Sequence, residues 1–153
     1  TGTFDSKNNL FESRSWLGAQ FAFACGPGRF QLFRRSSGTP YLAVVTEIDA
    51  VAGKTQKTSG VQCLEGSTVV QIQGGRLLCL GGRTTLQDRA EVVWFDPNLG
   101  LRSLLPSLRE RRSSAGALLL RNGTVLVAGG SRSNEYQSLN EAELYLPWAG
   151  PGH

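Results

Sequence analysis

The sequence predicts an all-β protein built from about three repeats of a small antiparallel sheet. The chain of 153 residues contains 19 glycines and 6 prolines, which favour turns over long helices. Its apolar runs are short and are bounded by turn residues. A pattern of turn, apolar strand and glycine doublet also recurs at a spacing of 47 to 48 residues, and a fixed spacing of this size indicates a repeat architecture.

The two clearest repeats each contain a tight turn, a five-residue apolar strand and a glycine doublet. They occupy residues 74–82 and 122–130. A weaker copy lies 47 residues earlier, where residues 28–33 match 75–80, Asp49 matches Asp96 and Gly53 matches Gly100. Each copy has room for about four strands.

The third repeat carries the strongest hairpin signal. Asn122-Gly123 predicts a type I′ turn that pairs residues 115–120 with residues 124–128. Both segments are apolar almost throughout, which predicts strands covered on both faces. Gly129-Gly130 is expected where a side chain would collide with neighbouring backbone or where φ is positive.

Four strands in about 47 residues are typical of a β-propeller blade. We predict an N-terminal arm at residues 1–14, blades at 15–60, 61–107 and 108–147, and a tail or linker at 148–153. Propellers usually close with four to eight blades. We therefore expect further blades beyond residue 153 or from a partner chain, and we expect this chain, which has no Met, to be processed or part of a longer product.

These features resemble kelch repeats. The resemblance rests on the glycine doublets, on Ala-Glu pairs followed by an aromatic residue, and on Asp96-Pro97, Pro106, Leu108 and Arg112. Residues 26–34 and 58–66 are also similar to the first blades of the galactose oxidase and glyoxal oxidase family. The resemblance runs from about residue 16 to residue 147 and implies a kelch-type propeller segment with an incomplete ring.

The oxidase resemblance implies a copper ion and a tyrosine cross-linked to a cysteine. Cys63 stands at the position of that cysteine, but Ser114 replaces the tyrosine, and its hydroxymethyl group can neither form the thioether nor carry a radical. The family's copper-ligating histidines lie in later blades, and the single histidine here is His153. We therefore expect no catalytic, cofactor or metal site in these repeats.

We predict a non-catalytic scaffold or protein-binding segment. Its expected partners are other protein chains or missing blades of the same chain, engaged through open sheet edges or loops that contain Arg83, Gln87, Arg89, Arg132, Asn134 and Tyr136. The alternatives are the N-terminal part of a secreted copper-radical oxidase that acts on aldehydes or alcohols, and a secreted carbohydrate-binding propeller. Oxidase relatives favour an extracellular location, whereas other kelch proteins are often cytoplasmic adaptors.

The charge pattern argues against nucleic-acid binding. Sixteen basic and twelve acidic residues give a net charge of +4, and the densest basic group, Arg109-Glu110-Arg111-Arg112, contains an acid and no aromatic ring. We interpret that group as a solvated loop. No apolar run approaches the length of about 20 residues that a membrane span requires.

A few further residues carry open hypotheses. Cys25, Cys63 and Cys79 have no metal-type spacing, so one disulfide with a free thiol and a fully reduced set both remain open, and Cys63 and Cys79 are expected in the core. Asn122-Gly123-Thr124 matches the N-glycosylation pattern. Glu91 and Glu143 are expected to be equivalent residues that make a repeated structural hydrogen bond.

Overall fold

The structure is a computed structural model that describes residues 3–5, 10–12, 19–35, 42–97, 99–132 and 137–148. It is all-β, as predicted, with several antiparallel sheets, and none of the described sheets closes on itself. The chain divides into two compact units, residues 1–62 and 63–153.

The first unit contains a short pair of strands, β1 (Thr3–Asp5) and β2 (Leu10–Glu12), and one four-stranded meander. The meander runs in the order β3 (Ala19–Gly26), β4 (Arg29–Arg35), β5 (Leu42–Asp49) and β6 (Lys54–Gln62), with neighbouring strands antiparallel. Asp49 ends β5 and accepts hydrogen bonds from the backbone N–H groups of Val51 and Ala52. This Asx turn, completed by Gly53 at φ +61°, reverses the chain into β6.

The second unit begins with another four-stranded meander, which we call sheet 2. It contains β7 (Thr68–Gln71), β8 (Leu77–Leu80), β9 (Val92–Asp96) and β10 (Leu101–Leu105), and a single 3-10 turn at Gln73–Gly75 joins β7 to β8. Asp96 accepts a hydrogen bond from the N–H of Leu99, and Gly100 has φ +66°. The turn after β9 therefore repeats the Asp-and-glycine design of the turn after β5.

The last sheet, which we call sheet 3, has three strands in the order β11 (Gly116–Leu119), β12 (Val125–Ala128) and β15 (Ala142–Tyr145). A separate hairpin, β13 (Ser131–Arg132) and β14 (Gln137–Ser138), lies between β12 and β15 along the chain. The expected hairpin of β11 and β12 is confirmed. The described part of this repeat differs from the prediction in having a three-stranded main sheet.

The turn between β11 and β12 is not the predicted type I′ turn. Gly123 N–H donates to the carbonyl of Leu120, and Gly123 has φ +83°, whereas Asn122 does not have positive φ. The loop is therefore a type I turn followed by a left-handed glycine, which gives a three-residue hairpin loop. Asn122 instead uses its side-chain oxygen to accept the N–H of Thr124.

The core of the second unit lies between sheets 2 and 3. It consists of Val70, Leu78, Leu80 and Val92 from sheet 2, Val125, Val127 and Tyr145 from sheet 3, and Leu108 from the connection between them. All four residues of β8 are buried, so this strand of sheet 2 is covered on both faces. The prediction of cover on both faces was made for the strands at residues 115–120 and 124–128, and it is wrong there, because β11 is exposed at alternate residues.

Both glycine doublets occupy left-handed positions next to neighbouring backbone, as predicted for Gly129-Gly130. A Cβ atom on Gly81 (φ +63°) would lie 2.3 Å from the carbonyl oxygen of Arg112, and one on Gly130 (φ +92°) would lie 2.6 Å from that of Ser113. The carbonyl oxygens belong to backbone and cannot move aside cheaply. The doublets let the chain segment that precedes sheet 3 approach the ends of β8 and β12.

Substituting Gly81 and Gly100 separates crowding from conformational strain. Both residues have φ near +65°, but a Cβ on Gly100 would meet no atom within 4 Å. We expect Gly100→Ala to lower the free energy of unfolding by about 1–2 kcal/mol, the cost of a left-handed alanine. Gly81→Ala should lower the free energy of unfolding by roughly a further 1–3 kcal/mol, because its Cβ would clash with the Arg112 carbonyl oxygen. Urea unfolding followed by tryptophan fluorescence measures the free energy of unfolding of both variants. Equal decreases for Gly81→Ala and Gly100→Ala would show that crowding at Gly81 does not matter.

Candidate functional site

The connection between β10 and β11, residues 106–115, is held along its length by backbone hydrogen bonds, and we call it the strap. Leu108 N–H donates to the carbonyl of Ala90, and Arg112 N–H donates to that of Arg89. The Arg112 carbonyl accepts the N–H of Gly82 at 2.8 Å, and Ser114 N–H donates to Gly66. The strap is therefore an ordered element that binds the end of sheet 2.

The side chain of Arg112 extends from the strap to sheet 3. It is 1% exposed, and its Nη1 donates to the carbonyls of Gly129 at 2.9 Å and Glu141 at 3.3 Å. Its Nη2 lies 3.0 Å from Glu143 Oε1, a charge contact outside hydrogen-bond geometry. The interpretation of residues 109–112 as a solvated loop is therefore wrong for Arg112, because two backbone carbonyls and a carboxylate replace its water.

Glu143 completes this arrangement from the inner face of sheet 3. Its Oε2 accepts the N–H of Arg109 at 2.7 Å, so one carboxylate contacts the strap at two residues. Removing one partner of a buried ion pair is costly, because the other charge is left uncompensated. Glu143 therefore has the structural role expected for it.

The predicted equivalence of Glu91 and Glu143 is wrong. Gly81 N–H donates to the backbone carbonyl of Glu91, and Gly129 N–H donates to the backbone carbonyl of Glu141 in the same way. The register agrees, since Leu80 pairs with Val92 and Ala128 pairs with Ala142. Glu91 therefore corresponds to Glu141. The Ala-Glu motifs align in sequence but are shifted by two residues in the sheets.

Tyr145 forms a second contact between sheet 3 and the strap. Its hydroxyl donates to the Pro106 carbonyl at 2.8 Å, and its ring belongs to the core. Burial raises the pKa of the Tyr145 phenol to about 12. The hydroxyl consequently remains a hydrogen-bond donor well above neutral pH.

The outer face of sheet 3 is apolar and exposed. Leu118, Leu126 and Leu144 are paired in one row across the three strands, and Gly116, Ala128 and Ala142 form the next row. Leu118 is 61% exposed and Leu144 is 63% exposed. Leucines in one continuous row make a patch rather than scattered surface residues.

This outer face corresponds to the face of sheet 2 that sheet 3 covers. The two sheets can be aligned by the equivalent hydrogen bonds of Gly81 and Gly129 and by their strand registers. In this alignment Val70 corresponds to Leu118, Leu78 to Leu126 and Trp94 to Leu144. Val70 and Leu78 are buried in the core that the two sheets share, and Trp94 packs against it. The same surface is thus covered in one repeat and open in the next.

Cys63 and Cys79 are joined by a disulfide. Their Cα atoms lie 5.8 Å apart, within the range that a disulfide bridges, and both residues are buried. The fully reduced state that the sequence left open is therefore excluded. Ser114 lies on the strap with φ +55° and an exposed side chain.

The predicted partner-binding loops are largely engaged within the chain. Arg83 contacts Glu65 at 3.1 Å, Gln87 accepts a hydrogen bond from Arg111, and Arg132 pairs with Glu110. Arg89 binds Gly82 and Arg112 through its backbone. Asn134, Tyr136 and His153 lie outside the described residues.

Asn122 lies at the tip of the β11–β12 hairpin and is exposed. Its Oδ1 accepts hydrogen bonds from the N–H and the hydroxyl of Thr124, at 3.0 and 2.8 Å. A Cβ on Gly123 would lie 2.6 Å from the indole of Trp148, so this ring covers the middle of the turn.

Comparison with known proteins adds no identification, since no protein-family model matches the chain and no curated protein matches it significantly. Within the described ranges, no three histidine, cysteine, aspartate or glutamate side chains cluster as metal ligands would. Likewise, none of the described segments is a helix with the length and hydropathy of a membrane span.

Replacing Arg112 tests the importance of its contacts, and its neighbour provides a matched control. Arg112→Met would remove the buried cation while Glu143 stays in place, and we expect the free energy of unfolding to fall by about 3 kcal/mol. Arg111→Met, at an exposed position, should change it by less than about 0.5 kcal/mol. Equal effects in urea unfolding would show that the Arg112 contacts are not stabilising.

Proposed function

We propose that the chain is a non-catalytic segment of a kelch-type β-propeller that serves as a protein-binding or structural scaffold element in a larger chain or assembly. One observation carries the proposal. The exposed outer face of sheet 3 corresponds, residue by residue, to the face of sheet 2 that is covered by the following repeat. The function of this surface is to receive another sheet.

The chemistry of the surface favours a further sheet of the same repeat type as its occupant. Sheet 3 covers sheet 2 with the apolar residues Val125, Val127 and Tyr145. The row of Leu118, Leu126 and Leu144 is apolar too, so it could be covered by similar residues of another sheet. Burying an exposed leucine contributes roughly 1.5–3 kcal/mol. The neighbouring row of Gly116, Ala128 and Ala142 leaves room for close approach.

The non-catalytic part of the proposal is supported by the state of two residues. The oxidase-like cross-link would require a free sulfur at Cys63, and this sulfur is bonded to Cys79. It would also require a phenol where Ser114 supplies only a hydroxymethyl group. The disulfide supports the extracellular location, because reducing compartments disfavour such bonds.

Self-association of the purified chain tests the surface directly, because a second copy is then the available source of a matching sheet. We expect reversible association that strengthens with concentration in analytical ultracentrifugation. Leu144→Lys places a charge at the β15 end of the row and should leave a monomer with an unchanged circular dichroism spectrum. Leu86→Lys is the control, since Leu86 is 81% exposed on a loop outside the row.

The proposal would be contradicted by a wild-type chain that stays monomeric at all soluble concentrations. It would also be contradicted if Leu86→Lys and Leu144→Lys weakened association equally. In that case general hydrophobicity, and not the row of leucines, would drive association.

A further inference from the structure

We propose that Asn122 is an N-glycosylation site and that the mature chain carries an oligosaccharide at the tip of the β11–β12 hairpin. The tripeptide Asn122-Gly123-Thr124 is the only Asn-x-Ser/Thr sequence with x other than proline in the chain. A tripeptide alone is a weak argument. Three structural observations extend it.

The first observation is the position of the side chain. Asn122 is exposed at the end of a hairpin, where a bulky, hydrated sugar can extend into solvent without displacing the core. The attachment point also lies beyond the ends of β11 and β12, so the glycan leaves the row of Leu118, Leu126 and Leu144 accessible.

The second observation is the orientation of the amide. The backbone N–H of Thr124 needs an acceptor, so the Asn122 atom that faces it is the oxygen. The Thr124 hydroxyl donates to the same oxygen at 2.8 Å. The amide nitrogen is consequently on the opposite side of the amide group, away from Thr124. These contacts polarise the carbonyl and hold the nitrogen where a transferase can reach it.

The third observation is the Cys63–Cys79 disulfide. Disulfides form and persist in the secretory pathway and outside the cell, and N-glycans are added in that pathway. A chain that acquires this disulfide in a eukaryotic secretory pathway meets there the enzyme that recognises its tripeptide. This argument does not depend on the proposed scaffold function.

The reaction forms a bond from Asn122 Nδ2 to the anomeric carbon of an oligosaccharide carried on a lipid pyrophosphate. The bond from that carbon to the pyrophosphate oxygen breaks, and the lipid pyrophosphate leaves with the electron pair. The amide nitrogen loses one proton to a base. No group is oxidised or reduced.

The test uses the full chain expressed behind a secretion leader in a eukaryotic host. Trypsin should release Asn122 in the peptide of residues 122–132, and peptide N-glycosidase in heavy-oxygen water should convert it to labelled aspartate. The same digest reports the disulfide as a linked pair of peptides, 58–76 and 77–83. Both secreted and retained chains are digested, so that poor secretion does not hide the result.

Three variants define the expected result. Asn122→Gln should abolish the glycan, and Thr124→Val should abolish it while leaving the Asn-Gly turn in place. Thr124→Ser keeps the hydroxyl and should retain the glycan. An unmodified Asn122 peptide from wild-type chains that contain the 58–76 to 77–83 link would overturn the proposal, as would a glycan that persists in Thr124→Val.

Discussion

The guanidinium group of Arg112 is buried where sheet 2, the strap and sheet 3 meet, and the arrangement of the second unit depends on how its charge is satisfied. The backbone of Arg112 makes hydrogen bonds to the backbone of Gly82 and Arg89. Its side chain donates to the carbonyls of Gly129 and Glu141. Removing a charge from water costs several kcal/mol unless partners replace the water. The partners here are carbonyls at the ends of two strands of sheet 3, so the charge holds sheet 3 to the strap, while the Arg112 backbone holds the strap to sheet 2.

This constraint explains several sequence features that otherwise look independent. Gly81 is a glycine because the Arg112 carbonyl lies where a side chain would be. Glu143 points into the core because the strap supplies both a cation and the Arg109 N–H. The previous repeat has Leu64 at the position of Arg112, one residue before the Glu65–Arg83 bridge that matches the Ser113–Ser131 bridge. The strap contact is thus a feature of one repeat junction.

Local features were predictable from the sequence, and contacts between distant segments were not. The sequence match of Asp49 and Gly53 with Asp96 and Gly100 corresponds to two equivalent turns in the structure, because an Asx turn and a left-handed glycine are set by neighbouring residues. The burial of Arg112 was missed because adjacent charges resemble a solvated loop. Three cysteines carry no information on which two meet, and the exposed face of sheet 3 reads in sequence like its covered equivalent in sheet 2.

Native-state hydrogen exchange of the central strands β8 and β12 tests most directly whether Arg112 couples the two sheets. If it does, the slowest amides of both strands should open with the same free energy, and Arg112→Met should lower both values together. Exchange of β12 at a much lower free energy than β8 in the wild-type chain would contradict the coupling. An effect of Arg112→Met on β12 alone would do the same.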